Sequence, residues 1–412
     1  MAETRQPLNA IVVNGGEGVQ DAVALGNDIF MSRCVSNAYR VLTPEGDVLI
    51  NTGISFNARE NYRRLAAVSS NPLKKIILTQ SHEDHIGGWH TFNTSAVETI
   101  AQANYSHVRG YWGGLHSIMA ARSRHLWSRD QTKAVITQPD PVITTTFLDE
   151  YSFDLGGRRF ELYSVRGGET LDSLVVWMPK ELTVFTGNMT GPLFGHVPNL
   201  YTLRGDKIRY VQFFLDGVQR VLDLRPEVLI TGHGEPIRGA AEIRRQLSRI
   251  RDATQYVKDR TWEGMNKGVD LWTLMGSISL PPELAIGQGH GKVPWMVRAI
   301  WEEHLGWFRY ESTTELYNVP PKSVSADWIE LAGGPEPVLS RARQHIDEGR
   351  PLHAMHLAEA VLSIQPQSIQ ALGTKLAATE HLLAQCTREN FSETRWLEAE
   401  VSSLKAAIEA SK

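Results

Sequence analysis

Cysteine is scarce in this chain, with Cys34 and Cys386 the two examples among 412 residues. They lie far apart, so neither a disulfide framework nor a pair of thiolate ligands at short spacing is available. Any metal ion must therefore be bound through nitrogen and oxygen atoms, and a reducing compartment is the simplest expectation.

Neither an excess of positive charge nor a long apolar run occurs. The formal net charge is −4, which argues against nucleic acid as the main partner. No stretch of about 18 apolar residues is present to span a membrane, and the first residues do not follow the pattern of a secretory signal peptide. We expect a soluble, cytoplasmic protein that acts on a small molecule.

The chain divides into three segments that differ in residue pattern and composition. Its length alone predicts two or three domains. Residues 1–262 alternate short apolar strands with helices, including hairpins near residues 37–50 and 173–186, which indicates sheets covered by helices. Residues 263–335 are rich in aromatic side chains and connect the other two segments. Residues 336–412 show helical periodicity alone, interrupted at Pro366.

Three groups of potential metal ligands stand at predicted strand ends, where loops are held by a rigid scaffold. The run QSHEDHIGG, residues 80–88, supplies His82, Asp84 and His85. Glu169 lies in a GGET turn before one strand, and His233 directly follows another. Imidazole and carboxylate ligands suit zinc, iron or manganese. Glu169 or His233 alone would be a weak signal, but together with the His-Glu-Asp-His run they predict a metal site.

These motifs, in this order, resemble metallo-β-lactamase-fold hydrolases. The resemblance rests on VLINTG (48–53), QSHEDHIGG (80–88), GETLDS (168–173), Gly187-Asn188 and GHG (232–234). NLYTLRG (199–205), VRAIWEEHLGWF (297–308) and the helical tail resemble the alkylsulfatase branch. This resemblance implies an α+β fold. An αββα sandwich would occupy residues 1–262, residues 263–335 would complete the active site, and residues 336–412 would form a helical dimerisation domain. We expect a homodimer without the sterol-carrier-like domain of many alkylsulfatases.

The resemblance also implies roles for single residues. One ion would bind His82, Glu169 and Gln80, and a second would bind Asp84, His85 and His233, with Asn188 at the position of a bridging ligand. One or two Zn²⁺ ions would generate hydroxide from bound water and hydrolyse a sulfate ester or related ester. Asp84 and Arg204 would serve catalysis, and an anionic, partly apolar substrate would meet Arg204, Tyr201 and Trp295.

Three positions depart from the family pattern. Gln80 replaces the usual histidine and is a poorer donor, and Asn188 replaces a carboxylate that often bridges two ions. Glu169, Asp172 or Asp84 are then the candidates for a bridging carboxylate. Trp295 falls where the alkylsulfatases carry a histidine, which leaves His290 and His304 as candidate proton donors. Aromatic side chains that could line an apolar pocket are Tyr111, Trp112, Trp295 and Phe308.

Two other functions remain open from the sequence. The altered ligands Gln80 and Asn188 are compatible with an iron- or manganese-dependent redox enzyme on the same fold. A non-catalytic protein that uses its helical tail for interactions is the second alternative, although the retained histidines count against it. Metal identity together with oxygen consumption would discriminate among these functions.

Overall fold

The computed structural model describes residues 12, 15–94, 96–127, 139–207, 209–386 and 388–412. They form two compact units, one within residues 1–123 and 130–304 and the other within 124–129 and 305–412. The first unit thus continues past residue 262 as far as His304. The functional division at residues 262 and 335 stays a prediction.

The first unit contains a seven-stranded sheet in sequential order β1 to β7. Its first four strands pair antiparallel, whereas β4 to β7 are parallel and are joined by crossover segments. The seven strands are β1 (Val23–Gly26), β2 (Ile29–Ser32), β3 (Ala38–Val41), β4 (Asp47–Ile50), β5 (Leu73–Ile77), β6 (Glu98–Gln102) and β7 (Thr145–Phe147).

A second sheet of six strands has the order β13-β12-β11-β10-β9-β8. Only β11 and β12 pair parallel; the other neighbours are antiparallel. The strands are β8 (Glu150–Leu155), β9 (Arg158–Ser164), β10 (Leu174–Met178), β11 (Thr183–Gly187), β12 (Val228–Thr231) and β13 (Ile237–Arg238).

The two sheets bury one shared apolar layer. Alternate residues of a strand point to opposite faces, so Val48 and Ile50 join this layer while Leu49 packs on the other face of the sheet. Tyr39 and Phe185, one from each sheet, meet edge to face with ring centroids 5.4 Å apart. Central strands such as β10 (LVVWM) and β11 (TVFTG) are thereby buried along their whole length, as expected for covered sheets, whereas the edge strands β1 and β8 are partly exposed.

Helices cover the outer face of each sheet, which confirms the predicted α+β fold with an αββα sandwich. Leu65 and Trp89 belong to the apolar cluster on the first sheet, and Phe214, Leu247 and Ile300 to that on the second. The helices are α1 (Ala58–Ala66), α2 (Glu83–Ile86), α3 (Trp89–Phe92), α4 (Tyr105–Gly114), α5 (His116–Trp127), α6 (Val211–Leu224), α7 (Ala240–Asn266), α8 (Leu271–Ser277) and α9 (Val293–Leu305).

The second unit is helical throughout its described secondary structure. Pro335 and Pro351 begin two of its helices, where a missing N–H costs nothing, and the predicted break at Pro366 separates α12 from α13. The helices are α10 (Ser325–Leu331), α11 (Pro335–Asp347), α12 (Pro351–Ile364), α13 (Ile369–Gln385) and α14 (Phe391–Ala410). Across the described residues, every helix is too short or too polar to cross a bilayer.

Phe214 offers a test of the packing of helix α6 on the second sheet. Its side chain is fully buried between α6 and the second sheet, whereas the neighbouring Phe213 is 42% exposed. We expect Phe214→Ala to lower the free energy of unfolding by about 3–5 kcal/mol because it leaves a core cavity. Phe213→Ala, the matched control, should cost about 1 kcal/mol or less. Equal losses in denaturant unfolding would contradict the packing described.

Candidate metal centre

The candidate ligands follow strands that end at one edge of the sandwich. Asn51 comes directly after β4, and residues 80–85 follow β5, its parallel neighbour. Asn188 comes directly after β11, and His233 follows β12, which is again a parallel neighbour. Because parallel strands point their carboxyl ends the same way, each sheet places its ligands at one edge, as in many ligand-binding open sheets.

The two sheets approach each other closely at this edge. The Leu174 amide donates to the Thr79 carbonyl at 2.9 Å, and the Asn37 amide donates to the Gly232 carbonyl at 2.8 Å. A Cβ atom on Gly232 would lie 2.3 Å from Asn188 Oδ1 and 2.6 Å from His85 Cε1. Gly232 is therefore required for the ligands of the two sheets to converge.

Asp84, His85 and His233 form a group of potential ligands whose donor atoms all lie within 4.8 Å of one another. Asp84 Oδ2 is 3.1 Å from His85 Nε2 and 3.2 Å from His233 Nε2. Burial opposes ionisation of Asp84, but the charges and hydrogen bonds of His85 and His233 outweigh it and hold its pKa well below the ordinary value. The carboxylate is thus ionised and faces two imidazoles.

His233 is held in the orientation that a ligand needs. Its Nδ1 lies 2.6 Å from the Val35 carbonyl oxygen, which can only accept, so Nδ1 carries the proton. Nε2 then faces Asp84 and is the nitrogen through which His233 would bind an ion. A backbone carbonyl behind a ligating imidazole is a common way to fix its tautomer.

His85 is held differently, by Asn51. Asn51 Oδ1 accepts from the Thr79 amide at 2.9 Å, which fixes the amide group, and Asn51 Nδ2 is 3.1 Å from His85 Nδ1. A donor therefore stands behind His85, where ligating histidines usually have an acceptor. Asn51 is part of the VLINTG run, but no role was predicted for it.

The second predicted group, His82, Glu169 and Gln80, is also brought together. His82 Nδ1 is 3.5 Å from Glu169 Oε1 and 3.4 Å from Gln80 Nε2. Glu169, however, faces a buried guanidinium: Arg209 Nη2 donates to Oε1 at 3.1 Å, and Nη1 lies 3.1 Å from Oε2. Arg209 was not foreseen from the sequence, because a loop arginine usually points into solvent.

Arg204 lies beside the same histidine. Its Nη2 is 3.1 Å from His82 Nε2 and 3.6 Å from Asp206 Oδ2, and its guanidinium stacks over the Trp112 ring at 5.0 Å. Burial lowers the pKa of Arg204 below its ordinary value. Burial opposes ionisation of Asp206, but His82, Arg209 and Arg204 together hold its pKa far below the ordinary value. Tyr111 donates to the other oxygen of Asp206 at 2.7 Å.

The two groups of predicted ligands differ in how well they suit a metal ion. Within the described residues, the buried oxygens Gln80 Oε1, Glu169 Oε2 and Asn188 Oδ1 have no hydrogen-bond partner, and buried polar atoms of this kind normally have one. Unpartnered oxygens therefore stand at both positions, and the neighbouring charges distinguish them. Asn188 Nδ2 lies 3.1 Å from His233 Nε2. Asp84, His85 and His233 therefore suit one divalent ion, with the Asn188 amide beside them. The group around Glu169 suits a second ion poorly, since guanidinium groups already face its donors.

The other residues predicted to bind substrate or bridge two ions contact neighbouring side chains. The Tyr201 hydroxyl faces Glu302, and Trp295 lies on α9 with Lys292 5.9 Å from its ring. Their contact with a substrate stays a prediction, as does the pocket role of Phe308. Asp172 accepts from the hydroxyls of Ser81 and Thr170.

The two histidines offered as proton donors lie in different surroundings, and that role stays a prediction for both. Burial, reinforced by nearby arginines, lowers the pKa of His290 to about 3, so it is neutral near pH 7. Its Nε2 lies 3.2 Å from Asn199 Nδ2. His304 packs edge to face on Trp262, with its Nδ1 2.8 Å from the Ile300 carbonyl oxygen.

Two family models match separate parts of the chain. Residues 31–233 match the metallo-beta-lactamase superfamily, and residues 274–400 match the alkyl sulfatase dimerisation family. The chain thus carries a metallo-beta-lactamase superfamily domain, and the domain that follows it is an alkyl sulfatase dimerisation domain. Both assignments confirm the resemblance seen in the sequence motifs.

Two curated relatives and one solved structure illustrate the likeness. A linear primary-alkylsulfatase of Pseudomonas sp. is 28% identical over 327 residues, covering 73% of this chain and 61% of the relative. Alkyl/aryl-sulfatase BDS1 of Saccharomyces cerevisiae is 23% identical over 340 residues, covering 76% and 52%. The inverting sec-alkylsulfatase Pisa1 of Pseudomonas sp. has the same fold, with a TM-score of 0.81 at 19% identity over 95% of this chain and 66% of that one. The chain therefore spans about half to two thirds of their lengths.

Asn51 provides a test of the metal centre. An ion on His85 Nε2 requires the proton on Nδ1, where Asn51 Nδ2 cannot accept it. In Asn51→Asp, one oxygen would still accept from Thr79 and the other could accept from His85 Nδ1. We expect tighter zinc binding, by roughly 10- to 100-fold, measured by competition with a chromogenic chelator.

Asn57→Asp adds the same charge away from the ligands, between the 3₁₀ segment Ser55–Asn57 and α1. It should leave the zinc affinity unchanged. Weaker binding in Asn51→Asp would show that Asn51 does not control His85 in this way.

Proposed function

We propose that this protein is a metal-dependent hydrolase of sulfate esters. One observation carries the proposal: the three-ligand cluster of Asp84, His85 and His233 lies near Arg204, whose guanidinium feels the charge of Asp84 and is 3.1 Å from His82, two residues before Asp84. A metal position adjoining a buried guanidinium is the pairing that an anionic ester requires.

Zinc is the ion we propose, because two imidazoles and one carboxylate match its common catalytic ligand set. When bound, such an ion polarises an ester and brings the pKa of water close to neutrality. The protein's part is to hold that ion with three fixed donors. Val35 fixes one of them from behind, and Asp84 supplies the negative charge.

Arg204 is the residue proposed to bind the sulfate group. A guanidinium offers paired N–H groups that match two oxygens of a tetrahedral anion. Stacking on Trp112 and the nearby Asp206 carboxylate hold it in place without enclosing it, since its side chain keeps 16% of its surface exposed. An anion can therefore reach Arg204 while the guanidinium stays oriented.

The relatives support the class of substrate. The Pseudomonas protein is described as a linear primary-alkylsulfatase and the yeast protein as an alkyl/aryl-sulfatase. We extend this class of substrate to the present chain, with an apolar alkyl or aryl portion beyond the sulfate.

Arg204→Met tests the substrate class. It removes the guanidinium but keeps an unbranched side chain that can pack on Trp112. With the zinc-loaded protein and medium-chain alkyl sulfates, we expect kcat/KM for sulfate release to fall by about 10²–10³-fold, as for other removed oxyanion-binding groups. Arg204→Lys should recover part of the loss.

Arg260→Met is the matched control, because Arg260 forms a surface ion pair with Glu263 and should leave kcat/KM unchanged. Unaltered turnover in Arg204→Met would remove Arg204 from the site. Oxygen uptake by the iron- or manganese-loaded protein without sulfate release would favour redox chemistry over the hydrolase.

We also propose that the protein is a homodimer. The match to a dimerisation family covers residues 274–400, and the second unit exposes large apolar side chains that water solvates poorly, including Leu331, Trp328 and Trp307. A second copy that covers such side chains would gain the burial that the single chain leaves incomplete.

Light scattering coupled to size exclusion tests the assembly. We expect a mass of twice the 46.0 kDa chain, and a shift toward the single-chain mass when Trp328 and Leu331 are both changed to Asp. Phe56→Asp, at an equally exposed position of the first unit, is the control and should keep the native mass. A native mass of one chain would contradict the proposal.

A further inference from the structure

We propose that this chain binds a single divalent ion, at Asp84, His85 and His233, and that the guanidinium of Arg209 takes the place of a second ion beside Glu169. The proposal rests on the proposed function and specifies its metal centre. It departs from the pair of ions that the family resemblance implies.

The Glu169 carboxylate is already neutralised. Both of its oxygens lie 3.1 Å from Arg209 nitrogens, and both side chains are more than nine-tenths buried. Arg209 Nη2 donates a hydrogen bond to Glu169 Oε1, while Nη1 lies at ion-pair distance from Oε2, which has no hydrogen-bond partner among the described residues. The pair is thus held by opposite charges and one charge-assisted hydrogen bond. Removing one partner of a buried pair is costly, so a metal ion would have to displace Arg209 to reach Glu169.

Arg209 is fixed independently of Glu169. Its Nη1 donates to the Asn199 carbonyl at 2.7 Å, and its backbone amide donates to the Leu200 carbonyl at 3.0 Å. The first bond fixes the guanidinium through a main-chain acceptor, and the second fixes the backbone from which the side chain projects. Its position is therefore a property of the fold rather than one conformation of a free side chain.

The charges around His82 balance without an ion. The carboxylates of Glu169 and Asp206 face the guanidinium groups of Arg209 and Arg204, so two negative charges meet two positive charges. His82 and Gln80 add no charge when the imidazole is neutral. A dication here would leave two positive charges uncompensated in a buried site, which is unfavourable at low dielectric.

The charges around Asp84, in contrast, do not balance without an ion. Asp84 supplies one negative charge, while His233, His85 and the Asn188 amide supply neutral donors. A dication gains attraction here and meets donors that already converge. The asymmetry between the two positions predicts that only one of them fills.

Metal stoichiometry is the direct test. The full chain is loaded with excess Co²⁺, freed of unbound metal and measured by elemental analysis, and its visible absorption reports the coordination. We expect about one ion per chain, and His85 and His233 should be the two histidines that bind it. About two tightly held ions per chain would overturn the proposal.

Two single variants locate the ion. Asp84→Asn should reduce cobalt content to near zero and abolish the visible bands, because it removes the anionic ligand. Glu169→Gln keeps the shape of the side chain and should leave both content and spectrum as in the native chain. Loss of cobalt in Glu169→Gln would show that Glu169 is a ligand and would contradict the proposal. Glu83→Gln, next to Asp84 at the start of α2, is the control for an unrelated loss of a carboxylate.

A double variant tests the role of the guanidinium itself. Arg209→Met with Gln80→His frees Glu169 and supplies an imidazole, so we expect cobalt content to rise toward about two per chain. Content that stays at one in a folded double variant would show that Arg209 is not what excludes the second ion. If the double variant does not fold, the native stoichiometry and Glu169→Gln still decide the question.

The two proposals fail in different ways. A native chain that holds about one cobalt but releases no sulfate contradicts the proposed function while the single-ion centre stands. A chain that cleaves sulfate esters with two bound ions contradicts the single-ion centre and leaves the function in place. A folded chain that binds no cobalt contradicts both.

Discussion

The contact of one carboxylate with two imidazoles holds the candidate site together. Asp84 and His85 belong to the first sheet's edge, whereas His233 belongs to the second, so their contact at 3.1–3.2 Å exists only because the sheets are packed face to face. Tyr39 reinforces this arrangement, since its hydroxyl donates across the layer to the Thr231 carbonyl at 2.6 Å. The site is therefore a consequence of sheet packing, and small changes in that packing would separate its ligands.

Two amides and two guanidinium groups give the site its particular character. Gln80 and Asn188 are neutral where the family pattern has a histidine and a carboxylate, and Arg204 and Arg209 place positive charge beside His82 and Glu169. One half of the site thus keeps the donors of a metal ligand set, while the other half carries built-in cations. Such a division suits an anionic substrate, because the attraction of the guanidinium groups does not depend on metal supply.

The sequence was informative wherever a local pattern set the structure. The hairpins formed by β3 with β4 and by β10 with β11 were predicted from apolar runs on either side of turn residues, and the covered sheets followed from their buried character. The candidate ligands His82, Asp84 and His85 were predicted because QSHEDHIGG is a dense, unusual run at a strand end, whereas the division of the ligands between two ions was implied by the family resemblance. These features depend on neighbours in sequence, which is why one sequence sufficed to find them.

Features that depend on distant neighbours were missed. Just before α6 begins at Val211, Asp206 and Arg209 turn their side chains toward His82 and Glu169. Arg209 meets a carboxylate 40 residues earlier in the chain, and no local pattern reveals such a pair. Asn51 stood in a recognised motif, but its effect on His85, 34 residues later, depends on the Thr79 amide that fixes it.

The hydrogen bond between His233 and the Val35 carbonyl joins residues 198 positions apart. On the ribosome, the QSHEDH run emerges long before the segment that carries His233, so the nascent chain passes through a stage in which the early ligands have no partner from the second sheet. An ion bound by all three ligands would then be captured only after the second sheet has formed. Such an ion would stabilise only the completed sandwich, so the free energy of unfolding would rise with the concentration of free metal.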